Sequence, residues 1–344
     1  MRSDWVAASV RAKAMARRRA GAGLCRDAAA LGSLPRALEI LEQTGYGLEL
    51  IADANTARDG NSARDGGTGP EADLAAAQHA TRRSVLWQLR VLAGWLPVSG
   101  ARIVRAAGAA FELENITVLS RRLQGAAAAE TGDGLRRSAV LPEYFDLGGL
   151  ATAWPRLSQA GTFSDLVEAL RTSPWGDPGS PQDLADTLTV VWFRRLAAAA
   201  PQTRRWMVAG AALLAARRVL AVPGTEGGAG VRPEPGNRVH ALLQPMIGSS
   251  WTEAQDVASF RAALPAAAAP VLDGIEDPGD LWRAEAALRA RVEDDAFSLL
   301  RSGLPGPDIA VGAITVLAMD AWRVRAALAA AVTGGGSEVL DAVA

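Results

Sequence analysis

The sequence predicts an all-α protein assembled from three similar helical blocks, residues 1–125, 126–238 and 239–344. Helical periodicity runs through most of the chain, and no stretch alternates β-branched and polar residues as a half-buried strand would. A short signature is also written twice. Ser33-Leu34-Pro35-Arg36-Ala37-Leu38-Glu39-Ile40-Leu41 leads into Thr44-Gly45-Tyr46-Gly47, and Thr162-Phe163-Ser164-Asp165-Leu166-Val167-Glu168-Ala169-Leu170 leads into Ser173-Pro174-Trp175-Gly176. The two align without a gap as a hydroxyl N-cap, a short amphipathic helix and a Ser/Thr-x-aromatic-Gly stop. Finally, a long helical hairpin recurs: Leu96-Pro97 aligns with Leu304-Pro305, and Phe111-Glu112-Leu113-Glu114-Asn115-Ile116 then falls on Met319-Asp320-Ala321-Trp322-Arg323-Val324. Recurrence of a helical unit at long period indicates stacked modules.

In chain order, a basic, Ala-rich helix is expected over 4–20, broken by Gly21 and Gly23, followed by the Ser33 unit. Residues 55–70 are rich in Gly, Asp, Asn and Ser and read as a loop. Long helices follow over 71–96 and 100–124, with Pro97 between them, and 126–138 reads as a connection. The second block holds the Thr162 unit and helices over 182–200 and 202–222, with Ala200-Pro201 as its hairpin corner and Arg217-Arg218-Val219-Leu220 as the middle copy, matched with a one-residue gap. Residues 223–237, rich in Pro and Gly, form a linker. The third block has a weaker short unit at 256–264 and helices over 279–301 and 308–332, then a frayed end.

Composition narrows the function. Of 344 residues, 49% are hydrophobic and 21% charged, as in ordinary globular proteins, and the length exceeds one compact core. A formal net charge of -1 argues against nucleic acid as a partner, since such binding leaves a basic footprint. Cys25 is the only cysteine, so neither an intrachain disulfide nor a cysteine zinc site is expected. Basic residues from Arg11 to Arg19 interrupt any signal-peptide core. The longest apolar stretches, 207–216 and 309–319, fall short of the ~20 residues a spanning helix needs. The expected location is the cytoplasm.

Chemistry-bearing patterns are sparse. Lys13 is the sole lysine and lacks the preceding glycines of a phosphate loop. His79 and His240 lie in different blocks without metal-ligand spacing, and His79 is expected on a helix surface. No Gly-x-Ser-x-Gly elbow is present. Glu293-Asp294-Asp295 diverge around a helix by ~100° per residue and read as a solvated acidic face. Arg17-Arg18-Arg19 read as cations at a helix C-terminus. Trp87, Trp95, Trp206, Trp282 and Trp322, in predicted helices, are expected mostly in the core. No catalytic, cofactor-binding or metal residue is therefore assigned.

Two carboxylates stand out. Ile309, Ala313, Val316, Asp320, Val324 and Ala327 share one helical stripe, placing an acid among apolar residues, and Glu112 occupies the matching place in the first block. A buried acid must find a cation or donors. Arg11 is the expected partner of Glu112, and Asn115 is expected to cap a neighbouring chain end. A structural role is favoured over contact with a partner protein because both copies keep the acid.

These residues together resemble a known family. Trp5-Val6-Ala7-Ala8-Ser9-Val10-Arg11-Ala12-Lys13, the Ser33 unit ending in Thr44-Gly45-Tyr46-Gly47, Phe111 to Ile116 with Arg121, Arg122 and Gly125 after it, and the helix from Gly306-Pro307-Asp308 to Leu328 follow, in order, the pattern of one central-stalk family of the rotary V/A-type ATPases. That family is the C-type subunit of the V/A-type enzymes, whose eukaryotic V-ATPase counterpart is the d-type subunit. The resemblance spans nearly the whole chain, and its order and recurrence carry it more than any one motif. Asn115 departs to Arg323 in the last copy.

The resemblance implies a funnel of three helical subdomains on the cytoplasmic face of a membrane proteolipid ring, peripheral to the membrane and receiving the central shaft subunits of the same ATPase. Such a protein has no catalytic site and couples rotation to ion transport. Two other classes remain open: a free-standing helical-repeat scaffold, and an all-helical enzyme with an apolar cavity, which would require converging acids that the sequence does not display.

Overall fold

The computed structural model describes residues 3–47, 70–130, 142–220 and 237–334. Among these the only regular secondary structure is helical, with no β-strand. The α-helices are α1 (Val6–Arg17), α2 (Gly21–Ala30), α3 (Leu34–Leu41), α4 (Pro70–Trp95), α5 (Val98–Glu130), α6 (Trp154–Leu157) and α7 (Phe163–Arg171), followed by α8 (Leu184–Ala199), α9 (Arg204–Leu220), α10 (Arg238–Ile247), α11 (Val257–Ala263), α12 (Leu281–Leu300) and α13 (Pro307–Thr333). Short 3-10 turns lie between them. Residues 55–69 of the expected loop and nearly all of the linker at 223–237 fall outside the described residues, whereas α4 already begins at Pro70 and α5 continues through 126–130, part of the expected connection.

The chain divides into two compact units, each discontinuous in sequence: Met1–Val104, Gln124–Leu150 and Asp295–Ala344 form the first, and Arg105–Leu123 with Ala151–Asp294 the second. In the first unit α13 is the central element and packs against α1, α2, α3 and α4. Its burial is nearly all round, including every member of the Ile309–Ala327 stripe. The burial extends beyond the single stripe expected, as for a helix that is apolar on more than one face. Close approach is enforced by Gly312, where a Cβ would stand 2.6 Å from the Ala296 carbonyl oxygen.

The second unit is organised by the α8–α9 hairpin, turned at Pro201, with α10 packed against both helices. Arg218 on α9 ion-pairs with both Asp183 and Asp186, while Asn237 caps α10 through Val239 N–H at 2.7 Å and donates to Asp183 at 2.9 Å. Burial pushes the Asp183 carboxyl upward, but hydrogen bonds from Ser180, Arg218 and Asn237 outweigh it and leave the pKa below the usual range. This network joins the start of α8, the end of α9 and the start of α10.

The repeated signature folds alike in both places. Thr44 Oγ1 donates to Leu41 O at 2.6 Å and accepts from Tyr46 N at 3.3 Å. Ser173 Oγ donates to Leu170 O at 2.7 Å and accepts from Trp175 N at 3.1 Å. The aromatic of each stop is buried. The caps differ: Thr162 forms a reciprocal box with Asp165, as Asp256 does with Ser259, but Ser33 makes no side-chain cap bond. The N3 residue differs: Asp165 and Ser259 can accept from the N-cap amide, whereas Arg36 has no acceptor with which to complete a reciprocal box.

Three other expectations require correction. A helix, α2, begins at Gly21, where the sequence suggested only a break. Trp87, Trp95 and Trp282 are exposed, leaving Trp206 as the buried member of the expected core set and Trp322 partly covered. His79 is half-buried and stacks on Phe145, with ring centroids 4.4 Å apart, instead of lying free on the surface. The basic run behaves as read: Arg19 donates to Ala16 O at 3.1 Å beside the end of α1.

Candidate functional site

Asp320 and Glu112 are both fully buried, at 0% exposure, on long helices. In the first unit, helix α2 starts at Ala20-Gly21, whose amides have no carbonyl four residues back to bond. Ala20 cannot cap itself, because alanine has no side-chain acceptor. Asp320 supplies the acceptors: Ala20 N–H donates to Oδ2 at 2.8 Å and Gly21 N–H to Oδ1 at 2.7 Å. Tyr46 O–H also donates to Oδ2, at 2.8 Å. The carboxylate thus joins α13, the start of α2 and the Thr44–Gly47 stop, with Arg323 Nη1 4.0 Å away on its own helix. Burial, followed by the Asp320 charge and hydrogen bond, holds the Tyr46 phenol well above the ordinary tyrosine range.

The second unit repeats the device on a different segment. Helix α6 follows Ala153, again with no side-chain cap of its own. Glu112 Oε1 accepts from Thr152 N at 3.1 Å, Ala153 N at 2.5 Å and Trp154 N at 2.6 Å. Its other oxygen, Oε2, accepts no hydrogen bond among the described residues. Arg195 donates through Nη2 to Thr152 Oγ1 at 3.3 Å and lies 4.8 Å from the Trp175 ring centroid. Burial lowers the Arg195 pKa, and the Glu112 charge works in the opposite direction without a direct ion pair.

Glu112 is buried as expected and held through one oxygen, but not by Arg11. Arg11 is exposed on α1, and backbone amides take the place assigned to it. The physical reason is that three converging amides at a helix start stabilise a carboxylate without burying a second charge. Asn115 is buried three residues beyond Glu112. The chain start at Thr152–Trp154 is held by Glu112. Sequence reasoning missed Tyr46, Trp175 and Arg195. The first two were visible as the aromatics of the repeated stop, whereas nothing local singles out Arg195.

Both carboxylates act as acceptors for the free amides of a helix start. Among the described residues no group of three or more His, Cys, Asp or Glu side chains is placed to hold a metal ion. None of the described helices is long and apolar enough to cross a membrane. No protein-family model matches the chain, and no curated protein is detectably similar to it in sequence.

Proposed function

We propose that this chain is a non-catalytic central-stalk component of a rotary V/A-type ATPase, seated on the cytoplasmic face of a proteolipid ring and receiving the central shaft. Its three blocks would form a closed funnel that transmits torque between the soluble and membrane sectors. The reading rests on the whole-chain order of motifs resembling that family's C-type subunit.

One structural observation carries it further. The buried acid of each flanking block fastens the helix start of another block: Asp320, near the end of the chain, caps α2 near its beginning, and Glu112 of the first block caps α6 of the second. Linking the last block back to the first is what a closed array requires, since an open solenoid leaves its ends free. In the middle copy Arg218 ion-pairs with Asp183 and Asp186 inside its own block, and Asn237 links Asp183 to the start of α10.

The test is reconstitution of the complete ATPase with and without this protein, measuring ATP-driven ion pumping. Pumping should require the protein and fall when Asp320 is replaced. Full coupling in its absence would reject the assignment and leave the scaffold reading in its place.

A further inference from the structure

Five large apolar side chains of the first unit stand in solvent around one pair of helical corners: Val98 (84% exposed), Val10 (66%), Leu304 (59%), Trp95 (53%) and Val6 (47%). Two contacts bring the corners to the same helix. A Cβ on Gly100 would stand 2.8 Å from both the Trp5 and the Leu96 side chains, so the α4–α5 corner abuts the start of α1. Gly306 N donates to Ser9 Oγ at 3.3 Å, so the α12–α13 corner meets α1 one turn further on. Val6 and Val10, four residues apart, occupy one face of α1.

Charge is excluded from the corners and gathered at their margins. No charged residue occurs between Arg90 and Arg102, or between Arg301 and Asp308. Arg11, Arg102 and Arg301 are exposed beside the apolar residues. The nearby acids, Asp4 and Asp308, sit in first turns of helices, where the backbone dipole favours negative charge. An apolar centre carrying a tryptophan, edged by arginines, matches the layered chemistry of a bilayer interface, where Trp occupies the headgroup level and cations meet lipid phosphates.

We propose that this edge binds the surface of an anionic lipid bilayer. Trp95, Val98, Leu304, Val6 and Val10 enter the boundary between headgroups and acyl chains, and Arg11, Arg102 and Arg301 engage the phosphates. The contact is interfacial, consistent with the absence of a spanning helix among the described residues. It rests on exposure and charge alone and does not depend on the rotor assignment.

Flotation of the purified full chain with vesicles tests it, comparing phosphatidylcholine alone with phosphatidylcholine containing phosphatidylserine. The native chain should float with the anionic vesicles and detach in high salt. The Trp95→Ser/Val98→Ser/Leu304→Ser variant should lose at least about tenfold in binding, and Arg102→Glu about fivefold or more. Circular dichroism checks that both variants stay folded, and the single Val98→Ser change serves if the triple variant does not. The proposal is overturned if the native chain ignores anionic vesicles or if the apolar variant floats as well as the native chain. It is equally overturned if binding appears only on vesicles carrying a proteolipid ring, a result that would make the edge a protein-docking site while leaving the rotor reading intact.

Discussion

Asp320 in the first unit and Glu112 in the second do the same work with different loading. Asp320 uses both oxygens on three donors drawn from two chain segments, the start of α2 and the phenol of Tyr46. Glu112 gathers three consecutive amides on a single oxygen and leaves the other without a donor among the described residues. The aromatic of the repeated stop marks the same contrast: Tyr46 O–H reaches its carboxylate, whereas the Trp175 indole N–H makes no hydrogen bond among the described residues. Asp320 is thus a cross-link between three elements and Glu112 a cap on one. The difference shows how a recurring sequence position can keep its residue class and helix-capping task while its tertiary connectivity diverges.

The largest expected effect comes from removing the cross-link outright. Asp320→Ala strips the acceptors from two amides and a buried hydroxyl, and should lower stability by about 3–5 kcal/mol. Glu112→Ala should cost less, about 2–3 kcal/mol, because Thr152 is exposed and water can reach part of the freed helix start. Urea unfolding of the two variants measures the gap. A smaller loss for Asp320→Ala than for Glu112→Ala would reverse the comparison.

A subtler change separates cross-link from cap. Asp320→Asn keeps one acceptor oxygen, but whichever way the amide turns, its NH2 faces the N–H of either Ala20 or Gly21. One donor is stranded in both orientations, so about 2 kcal/mol should be lost. Near-native stability would mean that the α2 start does not rely on this carboxylate.

What the sequence made legible follows from where the information lies. The long helices were readable because their apolar periodicity is local, and the buried acid at 320 was readable because it interrupts an apolar stripe. Helix α2 was not, because two glycines mark its beginning and the group that satisfies its first amides is 300 positions away. Arg11 was chosen for Glu112 by a rule that pairs charge with charge, which overlooks backbone amides as donors. The exposed Trp87, Trp95 and Trp282 escaped for a related reason: residue type predicts burial only on average. The Ser/Thr-x-aromatic-Gly stop was legible as a spacing, and the structure gives its hydroxyl the same bond to a carbonyl in both copies.

Tyr46 offers a pH-dependent view of the cross-link. A tyrosine in the unfolded chain ionises near 10, whereas the buried phenol beside Asp320 keeps its proton well above that. Its contribution is therefore complete below about pH 10 and is lost as pH rises toward the raised value, because over that window only the unfolded chain releases the proton. Tyr46→Phe should cost about 1–2 kcal/mol at neutral pH and make the alkaline decline in urea midpoint shallower than in the native protein. With only two tyrosines in the chain, phenolate absorbance can follow this directly. One phenol should ionise only as the protein unfolds, and that step should vanish in the Phe variant. Both phenols ionising together in the folded protein would show that Tyr46 is not held by Asp320.

The smallest effect is expected where the replacement matches the original most closely in shape. Glu112→Gln retains a carbonyl oxygen that can sit where Oε1 accepts from Thr152, Ala153 and Trp154, with its NH2 at the Oε2 position, which meets no donor among the described residues. No amide is stranded, in contrast to Asp320→Asn. Removing the charge weakens three charge-assisted bonds and the longer-range attraction to Arg195, which burial already disfavours as a cation. A loss of about 1 kcal/mol or less should result, well below that of Asp320→Asn in the same urea experiment. If the two amide variants prove equally damaging, Glu112 depends on its negative charge as strongly as Asp320 does, and its description as a one-oxygen cap fails.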